Sequence, residues 1–232
     1  MLFSDIYTKS IALFDDPKIT VAYNTNKIQF YKLMYTYMQN AVMLFSNPTW
    51  IAEKLSNFTE AQGQMETFAG DGVHNQFTVT MQDIPANSIY QFVEGSIIVD
   101  GIYDPITNKV TFPDVLPIGQ EYAFEYYFPG SLDDEMFNNS PNSNKGDTLI
   151  IHIVKDILAR LLVKAWAESE RNFLLDIRNI MQDADFKITG NDRILSAKNA
   201  WVDRLDTEVL QLQNKLSWNI RFLDGYKKKG RG

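Results

Sequence analysis

The spacing of hydrophobic positions changes twice along this chain. Within residues 1–58, Ile28, Tyr31, Tyr35, Met38, Val42 and Phe45 recur at steps of three and four, which places them on one face of a helix. Three more helices are predicted around that one. Ser4 or Asp5 can cap a first, reaching about Phe14. Asp16-Pro17 is a cap followed by proline, and starts a second. Asn26 can cap the helix that carries the stripe, and Asn47-Pro48 repeats the cap-plus-proline signal for a fourth ending near Leu55.

Residues 65–128 follow a different pattern. Short runs rich in β-branched and aromatic side chains are punctuated by Gly, Asp-Gly and Pro, which predicts strands at 65–68, 76–80, 89–93, 96–99, 109–112 and 121–128. Gly70-Asp71-Gly72 and Asp100-Gly101 read as turns that need a positive φ. Residues 129–146, with Asn138-Asn139-Ser140-Pro141-Asn142, read as a loop.

Helical spacing then returns. Asp147 can cap a long helix running towards Gln182. Residues 149–163 are apolar nearly all round, so this stretch is either the central buried helix or is covered by a neighbouring subunit. A last helix is predicted from Asp192 to Leu223, its stripe formed by Ile194, Trp201, Leu205, Leu212, Leu216 and Leu223. The expected fold class is therefore α+β. A discontinuous helical bundle (1–60 and 147–224) carries an inserted small antiparallel β domain (65–128), a loop (129–146) and a basic C-terminal tail (225–232).

Composition narrows the chemistry. The chain has 232 residues and no cysteine, which excludes disulfides, thiolate zinc sites and a cysteine nucleophile and fits a reducing cytoplasm. Met1-Leu2-Phe3-Ser4-Asp5 lacks the basic start of a signal peptide, and the most apolar stretch carries Lys155, Asp156 and Arg160, so neither leader nor membrane span is expected. The net charge of −7 is unevenly placed: residues 225–232 hold +4, leaving −11 for the rest. The β insert sets nine acids against Lys109 alone. Such a body repels a phosphate backbone. Asp71, Asp100, Asp104, Asp114 and Glu121 are its expected acidic surface.

No motif converges on catalysis. The two histidines, His74 in a turn and His152 on a helix, are too far apart in sequence for a His-x-x-x-His metal site, and no Gly-x-Ser-x-Gly elbow, phosphate loop or calcium loop occurs. His152, set among isoleucines, is expected to be a hydrogen-bonded interior or interface residue. The acidic turns are expected to use their carboxylates for local backbone bonding. No cofactor, metal or catalytic residue is expected. The sharpest local feature is the tail with Tyr226, Lys227, Lys228, Lys229 and Arg231. It reads either as a solubilising terminus or as a segment docking on an acidic partner or near DNA.

Two sets of motifs carry a resemblance. Ile11-Ala12-Leu13-Phe14-Asp15-Asp16-Pro17-Lys18-Ile19, then Phe30-Tyr31-Lys32-Leu33-Met34-Tyr35-Thr36-Tyr37-Met38, and Leu44-Phe45-Ser46-Asn47-Pro48 resemble head–tail adaptor (neck ring) proteins of tailed bacteriophages. Gly70-Asp71-Gly72 leading to Phe77-Thr78-Val79, Ile97-Ile98-Val99-Asp100-Gly101, Val110-Thr111-Phe112, and Pro117 and Gly119 before Tyr122 resemble a β module common in phage structural proteins. Together they cover roughly the first 128 residues. The resemblance implies a non-enzymatic virion subunit at the head–tail junction. It would form a ring of twelve copies between the portal protein and the next neck or tail protein, and DNA would pass through without sequence-specific binding. It would be assembled in the host cytoplasm, with no membrane involved. Ile150, Ile151, Val154, Leu158, Leu162, Trp201, Leu205, Leu212 and Leu216 would then form the ring interface, and the basic tail would dock on the portal. The competing expectations are another virion component (stopper, baseplate or fibre-attachment protein), or a glycan-binding or hydrolytic module built on the β insert.

Overall fold

The computed structural model describes residues 1–14, 16–137, 145–182 and 191–229, with side chains described at 148–175 and 193–220 in the last two helices. The fold is α+β. In chain order it runs α1 (Phe3–Ile11), α2 (Pro17–Thr25), α3 (Lys27–Leu44), α4 (Thr49–Leu55), β1 (Phe58–Thr59), β2 (Gln62–Ala69), β3 (Gln76–Thr78), β4 (Ile89–Glu94), β5 (Ile97–Val99), β6 (Ile102–Asp104), β7 (Lys109–Thr111), β8 (Glu121–Phe128), β9 (Ser131–Leu132), a 3-10 turn (Glu135–Phe137), α5 (Lys145–Gln182) and α6 (Asn191–Lys229). The chain divides into two compact units. One comprises Met1–Ile19, Leu33–Thr59 and Ser131–Gly232; the other comprises Thr20–Lys32 and Glu60–Gly130.

The helical unit is organised around α5, which packs against α1 and α6. The apolar run of α5 is covered within the chain itself: Val154, Ile157, Leu158, Leu162 and Val163 are fully buried. His152 corrects the interior alternative of its expectation and leaves the interface one. Successive helical residues point about 100° apart, so between buried Ile151 and Ile153 it can reach the solvent side, and it is exposed. The α3 stripe is recovered: Ile28, Tyr31, Met38, Val42 and Phe45 are buried and Tyr35 is half-buried.

Of the four helix starts predicted within residues 1–58, two follow local chemistry; further on, Asp147 does not cap α5 but lies inside it, since the helix starts at Lys145. The Asp16 carboxylate accepts the Lys18 backbone N–H at 2.9 Å, and the Asn26 side-chain oxygen accepts the Gln29 N–H at 3.0 Å, so both act as caps. α4 instead starts after Pro48, which is its extended N-cap residue, and the Asn47 side chain does not cap it. α1 starts at Phe3 without a side-chain cap because Leu2 is held extended, bridged to Ser131. The Met1 amino group donates to the Leu132 carbonyl at 2.9 Å, and the Leu132 N–H donates back to Met1 at 2.8 Å. Beside this return, β1 pairs with β9, setting Phe58 opposite Leu132.

The β unit is a sandwich of two antiparallel sheets, one ordered β2-β8-β4-β5 and the other β3-β7-β6. Alternation along β8 turns Tyr122, Phe124 and Tyr126 inward, where they join Phe68, Phe92, Val110 and Phe112 in one aromatic core. Phe124 meets Phe92 with ring centroids 5.4 Å apart, and Phe92 meets Phe112 edge-on at 5.5 Å. β6 was not predicted. Asn108, at φ 53°, turns the chain from β6 to β7, and its amide donates to Val79 O at 2.7 Å while accepting from the Tyr103 hydroxyl at 2.7 Å.

The glycines correct one expectation. Of the three glycines expected at positive φ, only Gly72 has it, at 75°. Gly70 and Gly101 are required for space. A Cβ at Gly101 would lie 2.6 Å from the Phe92 ring, and one at Gly70 would lie 2.0 Å from the Pro117 carbonyl oxygen.

Candidate functional site

Three groups of residues carry the functional expectations, and the structure treats each differently. Of the nine residues expected at a ring interface, Ile150, Ile151, Val154, Leu158, Leu162, Trp201, Leu205 and Leu216 are buried inside the chain, and Leu212 is half-buried. The eight therefore have no free surface for a neighbour. The stripe they form closes α5 on α6, because two amphipathic helices of one chain satisfy each other first. What α5 and α6 leave uncovered is a different set: Leu149, Phe173, Ile194, Leu210 and Trp218 are exposed large apolar side chains.

Charge pairs lock the helices in register. Arg160 reaches Glu208 at 2.8 Å and Lys164 reaches Asp206 at 2.5 Å, from α5 to α6. On the other side, Lys155 pairs with Asp5 at 2.6 Å and Asp156 with Lys9 at 2.5 Å, so adjacent opposite charges on α5 meet opposite charges one turn apart on α1. Trp166 receives Phe14 edge-on at 5.1 Å and meets Trp201 at 5.9 Å. The Lys198 ammonium sits 4.5 Å from the Trp166 ring and 5.2 Å from the Trp201 ring. The crossed pairs have no sequence signal, since each partner lies far away along the chain; Lys198 and Trp201 are neighbours three residues apart on α6, but the Trp166 ring that Lys198 also covers is distant.

The basic segment is placed only in part. α6 does not end at Leu223; it continues through Gly225 to Lys229. One glycine costs a helix only about 1 kcal/mol, and lysines near a helix C-terminus interact favourably with its dipole. The side chains of Tyr226, Lys227, Lys228 and Lys229, and all of Arg231, lie outside the described residues.

The acidic residues are spread over the β unit. Asp71, Asp100, Asp114 and Glu121 are exposed and Asp104 is half-buried. Two of them serve their own turns. Asp71 accepts the His74 ring Nδ1 at 2.5 Å and the backbone N–H groups of His74 and Val73, both at 2.8 Å. Those bonds, the His74 side chain first, hold its carboxyl well below the usual carboxylate range. Asp104 accepts the Thr107 hydroxyl at 2.6 Å and the Ile106 N–H at 3.0 Å, which also lower it. Asp100 and Asp114, with Glu94, line a cleft of about 580 Å³ beside Ile98, Val115 and Tyr122. Burial, then the charge of Glu94, pushes the Tyr122 phenol up.

Among the described residues, no group of three or more His, Asp or Glu could hold a metal ion, and no helix is long and apolar enough to cross a membrane. Comparison with protein-family models, with curated proteins and with solved structures finds no match to this chain.

Proposed function

We propose that this chain is a structural subunit of a tailed-phage particle, a head–tail adaptor that assembles into a ring between the portal and the next neck or tail protein. The observation that carries the proposal is the set of large apolar side chains left exposed on two long helices whose own core is already closed. Phe173 and Trp218 are 60% and 74% exposed, although α5 and α6 bury a continuous stripe between them. Side chains of this size left uncovered along the helix pair would each give a neighbouring subunit an apolar contact. The helices of 38 and 39 residues would each span about 57 Å at 1.5 Å per residue, long enough to touch neighbours along a ring. The resemblance of the first 128 residues to neck-ring and phage β modules points the same way.

The charges fit that role. Exposed carboxylates on the β unit would repel duplex phosphates, so DNA would slide past. The +4 segment at 225–232 would complement an acidic surface on the portal and set register.

The test is assembly of the full chain, imaged by negative stain and sized by light scattering, alone and with the portal. Rings are expected, and Trp218→Asp should reduce them while the circular dichroism spectrum is retained. A chain that stays monomeric at high concentration and does not co-assemble with the portal refutes the proposal. Density located at the tail tip of a particle, away from the neck, would assign the chain to another virion component.

A further inference from the structure

The four-stranded sheet has a second face, turned away from the aromatic core. Strand alternation and register set two rows across it: Met65, Glu125 and Gln91 in one, Thr67, Ala123 and Val93 in the next. The start of α3 stands beside this face in the same unit, and between them lies a cleft of about 500 Å³. That volume is within the range of small-ligand sites.

The cleft is lined by groups that both donate and accept. Gln91 is only 8% exposed, and its side chain makes no hydrogen bond to any described residue. A nearly buried amide with no protein partner, lining a cleft, presents a free donor and a free acceptor to whatever enters it. Beside it, Glu125 is 9% exposed and uses one oxygen for Lys32 at 2.5 Å. Asn26 uses its oxygen to cap α3, and its NH₂ is not needed for that bond. Gln29, Thr67 and Ser96 add an amide and two hydroxyls, and Glu121 stands on the rim.

We infer that this cleft binds a neutral saccharide. Lys32 offsets the charge of Glu125, and the remaining acid, Glu121, disfavours an anion. Amides, hydroxyls and a carboxylate together suit hydroxyl groups, which donate and accept from one atom. Met65, Val93 and Ala123 offer an apolar floor for the C–H face of a sugar ring. An extended peptide fits less well over the middle of the floor, where β8 is paired on both sides by β2 and β4, and β4 by β8 and β5; the open edge belongs to β2, and the tripeptide arm of the titration probes it. This inference stands apart from the assembly proposal, and either can fail alone.

The test titrates the full chain with maltotriose, triacetylchitotriose and mannotriose, using saturation-transfer NMR and calorimetry. At least one is expected to bind with a dissociation constant of about 10 mM or tighter. Gln91→Leu keeps the bulk, removes the amide and should weaken binding about tenfold or more. Thr67→Trp, at an exposed position on edge strand β2, should block the cleft without disturbing the core. Ile106→Ala, exposed and outside the cleft lining, should change nothing. No binding by any of the three sugars overturns the inference, as does binding that survives both Gln91→Leu and Thr67→Trp. Equal binding of the tripeptide Ala-Ser-Ala would overturn it too.

Discussion

Gly70→Ala should cripple the β unit, and the reason is a backbone collision with no soft side to it. The new Cβ would lie 2.0 Å from the Pro117 carbonyl oxygen and 2.9 Å from both the carbonyl carbon and oxygen of Leu116. All of these atoms are main chain, so no side chain can rotate out of the way. Relief requires the 116–117 segment to move by more than an ångström. That segment is tied to the 70–74 turn by Gly72 N–H to Leu116 O at 2.9 Å and Leu116 N–H to His74 O at 3.3 Å, with Gly70 N–H to Gln120 O at 2.8 Å beside them. Losing two or three such bonds at about 1 kcal/mol each, with residual strain, gives about 2–4 kcal/mol of destabilisation. In urea the midpoint should fall by about 1–2 M at a typical slope. Hydrogen exchange of the β2 and β8 amides reads the effect in the right place. The control is Gly95→Ala, where nothing lies within 4 Å of the added carbon and only the φ of 59° is unfavourable. It should cost about 1 kcal/mol. If Gly70→Ala loses no more stability than Gly95→Ala, the steric argument is wrong.

Four further outcomes follow from the charges and helices. Asp71, whose folded pKa is depressed by its bonds to His74 and Val73, contributes stability that is full above its ordinary value of 3.8 and is lost as pH falls through the folded value. Asp71→Asn should therefore remove part of the acid-side loss of order in the 71–75 turn, as followed by amide chemical shifts. Lys155→Asp alone should destabilise the helical unit by about 1 kcal/mol, while Lys155→Asp with Asp5→Lys should restore most of it in thermal melts. A double-mutant cycle on Lys164 and Asp206 should give a coupling of about 0.2–1 kcal/mol that shrinks in high salt, since Asp206 is half exposed. Deleting residues 225–232 should weaken portal attachment without unfolding the subunit, measured by co-sedimentation at physiological salt; unchanged attachment would remove the docking idea.

Local signals were readable where one residue decides the matter. Asp16 and Asn26 were legible as caps because each stands directly before its helix, whereas Asn47 carries the same signal and leaves the N-cap place to Pro48. The β8 strand was legible because Tyr122, Phe124 and Tyr126 alternate with Ala123 and Glu125. Pairings between distant segments were not legible. The apolar girdle of α5 looked the same in sequence whether α1 and α6 or a sibling chain would cover it. Gly101 looked like a turn residue, yet its role depends on the Phe92 ring arriving from another strand. The short β6 had only three residues between two turns, too few for a period to emerge. Gln91 sat in a predicted strand, but its isolation depends on what the helix start at Asn26 leaves uncovered.

The order of the elements along the chain sets a timetable for synthesis. α1 needs α5, whose first residue, Lys145, comes 134 positions after Ile11, the last of α1. At about 5–20 residues per second the ribosome leaves Phe3, Ile6 and Tyr7 without their final cover for about 7–27 seconds. The β unit has all its strands by Phe128, well before α5 has been made. Its sandwich is thus free to close first, and the nascent helical half is the part exposed to chaperones and to premature association with other chains.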